Sequence, residues 1–265
     1  VKGIFTKDSS AFRLSKTDKI HERWRGKLFD ELSSDEQRRI RNTTIHAIIF
    51  MQQQSKRGDT SHYQIFERIN SSGRSLLPQE IRNCVYQGPF NSLLIELNDS
   101  PAWRALWGTT TRDDRMRDAE FILRFFALSS ELIFDNESVP SRISLKKFLN
   151  EYMEGVEMGE LERLRERFLK TTKFIQENIG TAAFHNISAS GETKHASFSP
   201  TVFDAVMIAT DRMLCGNPAG PHDDIARKRI TMLMDEGYQG LLYQETMRTA
   251  NIQARVNLME EALYG

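Results

Sequence analysis

Residues 113–128 read DDRMRDAEFILRFFAL and carry the clearest helical pattern of the chain. The apolar residues of this stretch recur at intervals of three and four, so that they share one face of a helix. The residues on that face are Ala119, Ile122, Leu123 and Phe126. The pattern predicts a long amphipathic helix that packs against a hydrophobic core.

Helical spacing dominates the sequence from residue 59 to the C-terminus. Proline and glycine bound the segments: Pro78 suits the first turn of a helix, and Gly88 followed by Pro89 ends one. Helices are therefore predicted at 59–70, from 78, at 90–97, from 101, and at 113–128, 144–153, 157–179, 203–214, 225–234 and 252–263. Residues 180–197 are small and polar, and they are predicted to form a loop or linker.

Strands are predicted only near the N-terminus. Short strands are expected at 4–5, 12–14 and 24–29, and a buried strand at 43–51, where β-branched and apolar residues run together. A short helix is expected to begin after Ser33, whose hydroxyl can accept a free N–H group of a first turn. The predicted fold class is therefore mainly α, with a few short strands before a helical bundle.

The composition is that of a globular protein, with 265 residues, 39% of them hydrophobic and 27% charged. Because the formal net charge is zero, any contact with nucleic acid has to come from a local patch. Cys84 and Cys215 form no CxxC motif, which excludes a zinc site of cysteines and fits a reducing, cytoplasmic compartment. No run of about 18 apolar residues occurs, so no membrane span is expected.

The turn within residues 67–83 is the strongest candidate binding site. A helix ends at Asn70, small residues follow, and a second helix begins near Pro78 with its positive N-terminal end towards the turn. Arginine side chains, which suit bidentate contact with phosphate, surround this turn. They are Arg68, Arg74 and Arg82.

Polar residues of the same turn add hydrogen-bonding groups. Asn70 and Asn83 can both donate and accept, as recognition of a base or ribose requires. Gly73 can take a positive φ, and the turn can present successive N–H groups to an anion. Glu80 could orient the arginines or place a metal or a water. The alternative is an ordinary helix end and turn, braced by Glu80 as an acceptor of backbone N–H groups.

The segments IFERINSSG (65–73) and LLPQEIRN (76–83) closely resemble the FERIN and QEIRN signature of the GmrSD-type restriction-endonuclease N-terminal domain family. The likeness continues through VYQGPFN (85–91). Weaker likeness extends over three further segments, 118–128, 147–153 and 249–263. Ser72 departs from the glycine that is commoner in the family, and this restricts the backbone at that position.

The resemblance implies that residues 1–99 complete a ParB-like α/β domain with the FERIN and QEIRN helices, and that residues 100–265 form a helical domain. The family carries a DGQQR motif on the N-terminal half of the ParB-like domain, and this chain has no such sequence. The catalytic half would therefore be cleaved, supplied by another chain or not among these residues. The chain, which does not begin with Met, is accordingly interpreted as a fragment or a processed product.

The resemblance also implies a function. The protein would belong to a prokaryotic anti-phage or DNA-restriction system, binding nucleotide and DNA and supporting NTP-dependent cleavage of modified or foreign DNA. The implied cofactors are an NTP and a divalent metal, and the implied partners are DNA and the N-terminal ParB-like half or a partner chain; a homo-oligomer is also compatible. Whether this chain is itself an NTPase or endonuclease stays open, because the DGQQR motif is absent. The alternatives are a non-catalytic helical module that binds DNA or a partner nuclease, and an oligomerisation domain.

Two further groups of residues allow both a functional and a structural interpretation. Trp103 and Trp107 lie one helical turn apart and could stack on DNA bases, but core packing is the favoured interpretation. The basic residues that would accompany them are Arg112, Arg115 and Arg117. The histidines lack the framing residues of a metal site and are expected to lie in polar loops. They are His185, His195 and His222.

Overall fold

The computed structural model describes residues 13–44, 61–70, 75–134, 139–187, 193–216 and 223–265. Packing divides the chain into two compact units, Val1–Gln54 and Ser55–Gly265. The boundary predicted between residues 99 and 100 concerns the limits of a family domain. Packing does not test that boundary, and it stays a prediction.

The first unit contains helix α1, Ser34–Arg41, and two short 3₁₀ helices, Glu22–Trp24 and Phe29–Glu31. Helix α1 begins as the sequence predicts, with a capping box in which the Glu36 carboxylate accepts the Ser33 backbone N–H at 3.0 Å. The Trp24 indole N–H donates to the same carboxylate at 2.6 Å. These hydrogen bonds lower the pKa of Glu36 to about 2, the bond from Trp24 having the largest effect.

The strand predicted at 24–29 is wrong. The chain turns there because Gly26 adopts a φ of 70°, in the left-handed region that side chains disfavour. The turn is closed by the Gly26 N–H, which donates to the Leu14 carbonyl at 2.9 Å. No strand occurs within residues 13–44, and the strands predicted at 4–5, at residue 12 and at 45–51 lie outside the described residues.

The second unit is built from helices, as predicted. They are α2 Ser61–Ile69, α3 Pro78–Val85, α4 Pro89–Leu97, α5 Pro101–Trp107, α6 Arg117–Leu128, α7 Glu131–Phe134, α8 Leu145–Gly155, α9 Leu161–Asn178, α10 Pro200–Cys215, α11 Ile225–Met234, α12 Glu236–Tyr243 and α13 Thr249–Tyr264. Proline occupies the first turn of α3, α4, α5 and α10, where its missing N–H costs no hydrogen bond.

Three details of the second unit differ from the sequence prediction. Helix α6 begins at Arg117 rather than at residue 113, because Met116 adopts a φ of 57° and interrupts the helical backbone. The short helices α7 and α12 were not predicted.

The predicted loop at 180–197 is the third difference, since it contains an antiparallel pair of strands, β1 His185–Ile187 and β2 Thr193–Phe198. The hairpin forms despite its small and polar residues because Phe184, immediately before β1, is buried in the core. Tertiary packing therefore overrides the weak local strand preference.

Helix α10 runs through the centre of the second unit and packs against α6, α9 and α13. It is buried on nearly all sides, which explains its almost continuous run of apolar residues. Beside it, the Trp103 ring lies 5.7 Å from the Phe168 ring and 5.9 Å from the Phe203 ring, measured between centroids. The Trp103 indole N–H donates to Asn98 Oδ1 at 2.9 Å, which satisfies its only buried polar group.

Among the described residues, none of the helices is both long enough and apolar enough to pass through a lipid bilayer.

Candidate anion-binding cleft

A cleft of about 310 Å³ lies between α2 and α8. Three of its lining side chains are basic and one is a carboxylate, so the lining carries excess positive charge. The lining residues are Tyr63, Gln64, Glu67, Arg68, Lys146, Lys147 and Asn150.

On each wall of the cleft, side chains one helical turn apart lie on the same side of their helix. On α2, Tyr63 and Glu67 are one turn apart and therefore lie on the same side of the helix. On α8, Lys146 and Asn150 are also one turn apart. Tyr63 is only 1% exposed and anchors α2 to the rest of the unit, so the two walls face each other at a defined separation.

An ion pair crosses the cleft. The Lys146 ammonium lies 2.7 Å from Glu67 Oε1 and 2.9 Å from Glu67 Oε2, joining α8 to α2. The same ammonium lies 5.7 Å from the centre of the Tyr63 ring, a cation–π contact. Both side chains of the pair are about half exposed, and exposed pairs contribute only about 0–1 kcal/mol. An incoming anion can therefore compete with Glu67 for Lys146.

Arg68 and Lys147 carry the remaining positive charge of the cleft. Arg68 is exposed and forms no ion pair within the part of the chain that the structure describes. Among the described residues, Lys147 is paired only with Glu151, at 3.5 Å on the exposed face of α8. These two cations are thus accessible to a ligand with little competition from carboxylates.

Arg82 lies behind the wall of the cleft rather than in it. Its side chain is 1% exposed, and its Nε donates to Asn150 Oδ1 at 2.7 Å. Its Nη1 donates to Glu120 Oε2 at 2.9 Å and to Gln79 Oε1 at 3.1 Å. The guanidinium is therefore engaged by protein groups, and Asn150 is a lining residue of the cleft whose side chain it holds by a hydrogen bond.

Two more of the predicted site residues contact other parts of the fold. Asn83 Oδ1 accepts from the Asn91 amide at 2.9 Å, which turns Asn83 towards α4. Glu80 Oε2 accepts the Leu77 N–H at 2.5 Å and the Arg115 Nε–H at 2.9 Å. This is the bracing role that the sequence allowed as an alternative, and it holds Glu80 at the start of α3.

The other predicted residues are only partly covered by the structure. Asn70 follows the end of α2, is partly buried, and does not line the cleft. Gly73 and Arg74 lie outside the described residues. Among the predicted binding residues that the structure describes, Arg68 is therefore the one that lines the cleft.

Sequence reasoning missed the wall that α8 contributes. Lys146, Lys147 and Asn150 belong to a predicted amphipathic helix, and their polarity is that of any exposed helical face. A pair of lysines with an asparagine one turn later is a weak signal by itself. Its significance depends on α2 lying opposite, which the local sequence does not encode.

Two buried polar atoms near Arg82 have no hydrogen-bond partner among the described residues: the Tyr63 hydroxyl and Gln79 Nε2. Burial raises the pKa of Tyr63 to about 12, with Glu67 and Glu120 adding to the shift and Arg82 opposing it. The hydroxyl is therefore protonated at neutral pH and able to donate. A buried polar atom without a partner destabilises the fold unless a ligand or water satisfies it.

Trp103 and Trp107 pack in the core, which is the interpretation that the sequence favoured over stacking on DNA bases. Trp103 is fully buried, and the three arginines that might have accompanied it each pair with a carboxylate. These pairs are Arg112 with Asp99, Arg115 with Glu80, and Arg117 with Asp113.

The histidines provide no metal centre that the structure describes. His185 lies in β1, where burial, together with the charge of Arg229, lowers its pKa. The His195 side chain and His222 lie outside the described residues. Within the described ranges, no group of three or more His, Cys, Asp or Glu side chains is placed to hold a metal ion.

No protein-family model, no curated protein and no solved structure matches this chain. The family interpretation therefore depends on the resemblance in sequence alone.

Proposed function

We propose that this protein binds the phosphate groups of a nucleotide or of DNA in the cleft between α2 and α8, as part of a prokaryotic phage-defence or DNA-restriction system. The observation that carries the proposal is the accessible guanidinium of Arg68. It lines a basic cleft, and no carboxylate of the described residues pairs with it. Arg68 also belongs to the segment that resembles the FERIN signature.

The chemistry of the cleft suits a phosphate. A guanidinium can make two parallel hydrogen bonds to a phosphate, whereas an ammonium acts as a point charge, and the cleft offers both at Arg68 and Lys147. Its volume of about 310 Å³ lies at the lower end of the range for small-molecule sites. The cleft can therefore take the phosphates of a nucleotide, or a short stretch of nucleic-acid backbone, from its open side.

The proposed role in DNA restriction depends on the resemblance in sequence to the GmrSD-type family. An NTP and DNA would be the ligands, and the NTP-dependent cleavage of DNA would need a catalytic half that carries the DGQQR motif. Within the described ranges, the groups that line the cleft are those of a binding site for phosphate, and the chemistry of hydrolysis is assigned to that catalytic half. We assign to this chain the holding of a phosphate ligand for that catalytic half.

Binding is tested by titrating the protein with tripolyphosphate, ATP, GTP and a 20-base-pair DNA duplex in a calorimeter. Arg68→Ala and Lys147→Ala should each weaken binding about tenfold, since a hydrogen bond to a charged group contributes roughly 1.5–3 kcal/mol. The matched control is Lys173→Ala, because Lys173 also pairs with a glutamate one turn later, Glu177, but lies on α9 outside the cleft. The control should bind as the unaltered chain does.

The dependence of affinity on salt concentration is a test for binding of the DNA backbone. If DNA is bound through its backbone, the logarithm of affinity should fall linearly with the logarithm of salt concentration, and loss of one phosphate contact should reduce the slope by about 0.9. Binding of DNA without binding of ATP, GTP or tripolyphosphate would favour the non-catalytic DNA-binding module. Equal affinities for the unaltered chain and both cleft variants would overturn the proposal.

A further inference from the structure

We infer that Asn150 determines which ligand atoms the cleft accepts, and that Arg82 and Glu120 act as positioning residues that hold the Asn150 amide with its nitrogen available to the ligand. The ligand group at this position is then an acceptor, a phosphate or carbonyl oxygen, and not a donor such as an amino group. This inference rests on the proposed function of the same cleft.

The orientation of the Asn150 amide follows from its partner. An asparagine amide has an oxygen that accepts and a nitrogen that donates, and the two ends can exchange by rotation. A guanidinium can only donate, and Arg82 Nε lies 2.7 Å from Asn150 Oδ1. The reversed amide would place N–H against N–H, so the oxygen end stays with Arg82. Because Asn150 lines the cleft, its nitrogen is the end left to donate to a ligand.

Arg82 is itself held in place from several directions. Glu120 on α6 accepts from its Nη1 at 2.9 Å, and Gln79 on α3 accepts from the same nitrogen at 3.1 Å. The Lys146 carbonyl on α8 accepts from Nη2 at 3.4 Å. The amide orientation is therefore set by the packing of α3, α6 and α8 and not by Asn150 alone.

The cations of the cleft are donors as well. Arg68 and Lys147 can only donate hydrogen bonds, and the Glu67 carboxylate is occupied by Lys146. Three cations and the Asn150 amide nitrogen in one lining match an oxyanion, whose oxygens accept from several sides.

The test uses the full chain, with tripolyphosphate as the probe. Asn150→Asp keeps the shape of the side chain but replaces the donor with a negatively charged acceptor, so affinity should fall at least about tenfold. Glu120→Gln keeps an acceptor for Arg82 but removes the charge that fixes it, and a smaller loss, about threefold, is expected. The matched control is Asn257→Asp, since Asn257 Oδ1 also accepts from an arginine, Arg212, at 2.9 Å but lies on α13 outside the cleft.

A direct readout distinguishes ligand contact from a structural role. The side-chain amide resonance of Asn150, assigned by its loss in Asn150→Ala, should shift in a ¹H–¹⁵N spectrum when tripolyphosphate is added. If Arg68→Ala weakens binding while the Asn150 resonance does not shift and Asn150→Asp binds normally, the proposed function survives and this inference fails. If the unaltered chain does not bind tripolyphosphate, this inference fails. If it also binds neither ATP, GTP nor the DNA duplex, the proposed function is overturned as well.

Discussion

Asp204 is the carboxylate that pairs with two buried arginines of the second unit. Its carboxylate, fully buried on α10, receives two hydrogen bonds of 2.6 Å from Arg124 and one of 3.0 Å from Arg255. Both arginines lie in segments of weaker family likeness, 118–128 and 249–263. The structure places them in the core, where they join α6 and α13 to α10.

Replacement of Asp204 by Asn should destabilise the protein by roughly 3–5 kcal/mol, because it leaves two buried guanidinium groups without a counter-charge. Urea unfolding followed by circular dichroism measures this change. The control is Asp99→Asn, since Asp99 also pairs with one arginine, Arg112, but both side chains are about half exposed. That change should cost at most about 1 kcal/mol. Similar costs for the two variants would contradict the prediction.

A difference in burial also separates two residues of the predicted binding site. Arg68 and Arg82 share one sequence segment and one predicted role, yet Arg68 is exposed in the cleft and Arg82 is buried behind it. The sequence does not distinguish them, because both are arginines on short helices. What separates them is the presence of Asn150 and Glu120 around Arg82, from parts of the chain 68 and 38 positions away.

The start of a helix was predictable where the residues that mark it are neighbours in the sequence. The proline that begins α3 and the capping box before α1 are read directly from neighbouring residues. The hairpin of β1 and β2 was not predictable, because its strands are short and polar and depend on buried neighbours such as Phe184. Helix α12 was missed although Asp235 marks its beginning, since the glycines at 237 and 240 weaken its helical propensity.

Helix α12 should therefore be sensitive to its cap. Asp235 Oδ1 accepts the Tyr238 N–H at 2.7 Å, and Asp235→Ala should cost about 1 kcal/mol. Asp235→Asn, which keeps an acceptor at the same position, should recover most of that loss. Thermal unfolding of the three proteins measures the difference. Equal midpoints for the Ala and Asn variants would show that the side-chain cap does not stabilise α12.

At the scale of the whole molecule, one hydrophobic core serves the second unit. All residues of the buried core cluster lie between positions 90 and 263, and residues of α4 such as Leu94 and Leu97 are among them. The described residues of the first unit, 13–44, contribute none of them. The core cluster therefore has members on both sides of position 99, where the boundary of the family domain is predicted.

A fragment of residues 55–265 should fold by itself, because it keeps the entire core cluster. Its thermal unfolding, followed by circular dichroism, should be cooperative. A fragment of residues 100–265 loses α4 and should be markedly less stable, since removal of each buried leucine costs about 2–5 kcal/mol. Cooperative unfolding of the shorter fragment at an unchanged temperature would contradict this account and favour a domain boundary at residue 99.

The sequence by itself determined that the chain is mainly helical, where most of its helices begin and end, and which segment to search for a phosphate ligand. These are local properties, set by apolar spacing, capping and the chemistry of neighbouring side chains. Only the tertiary structure decided which polar groups meet. Lys146 faces Glu67 from 79 positions away, and Arg82 turns the Asn150 amide from another helix. Contacts over such separations depend on how the helices pack around the common core, which no local pattern specifies.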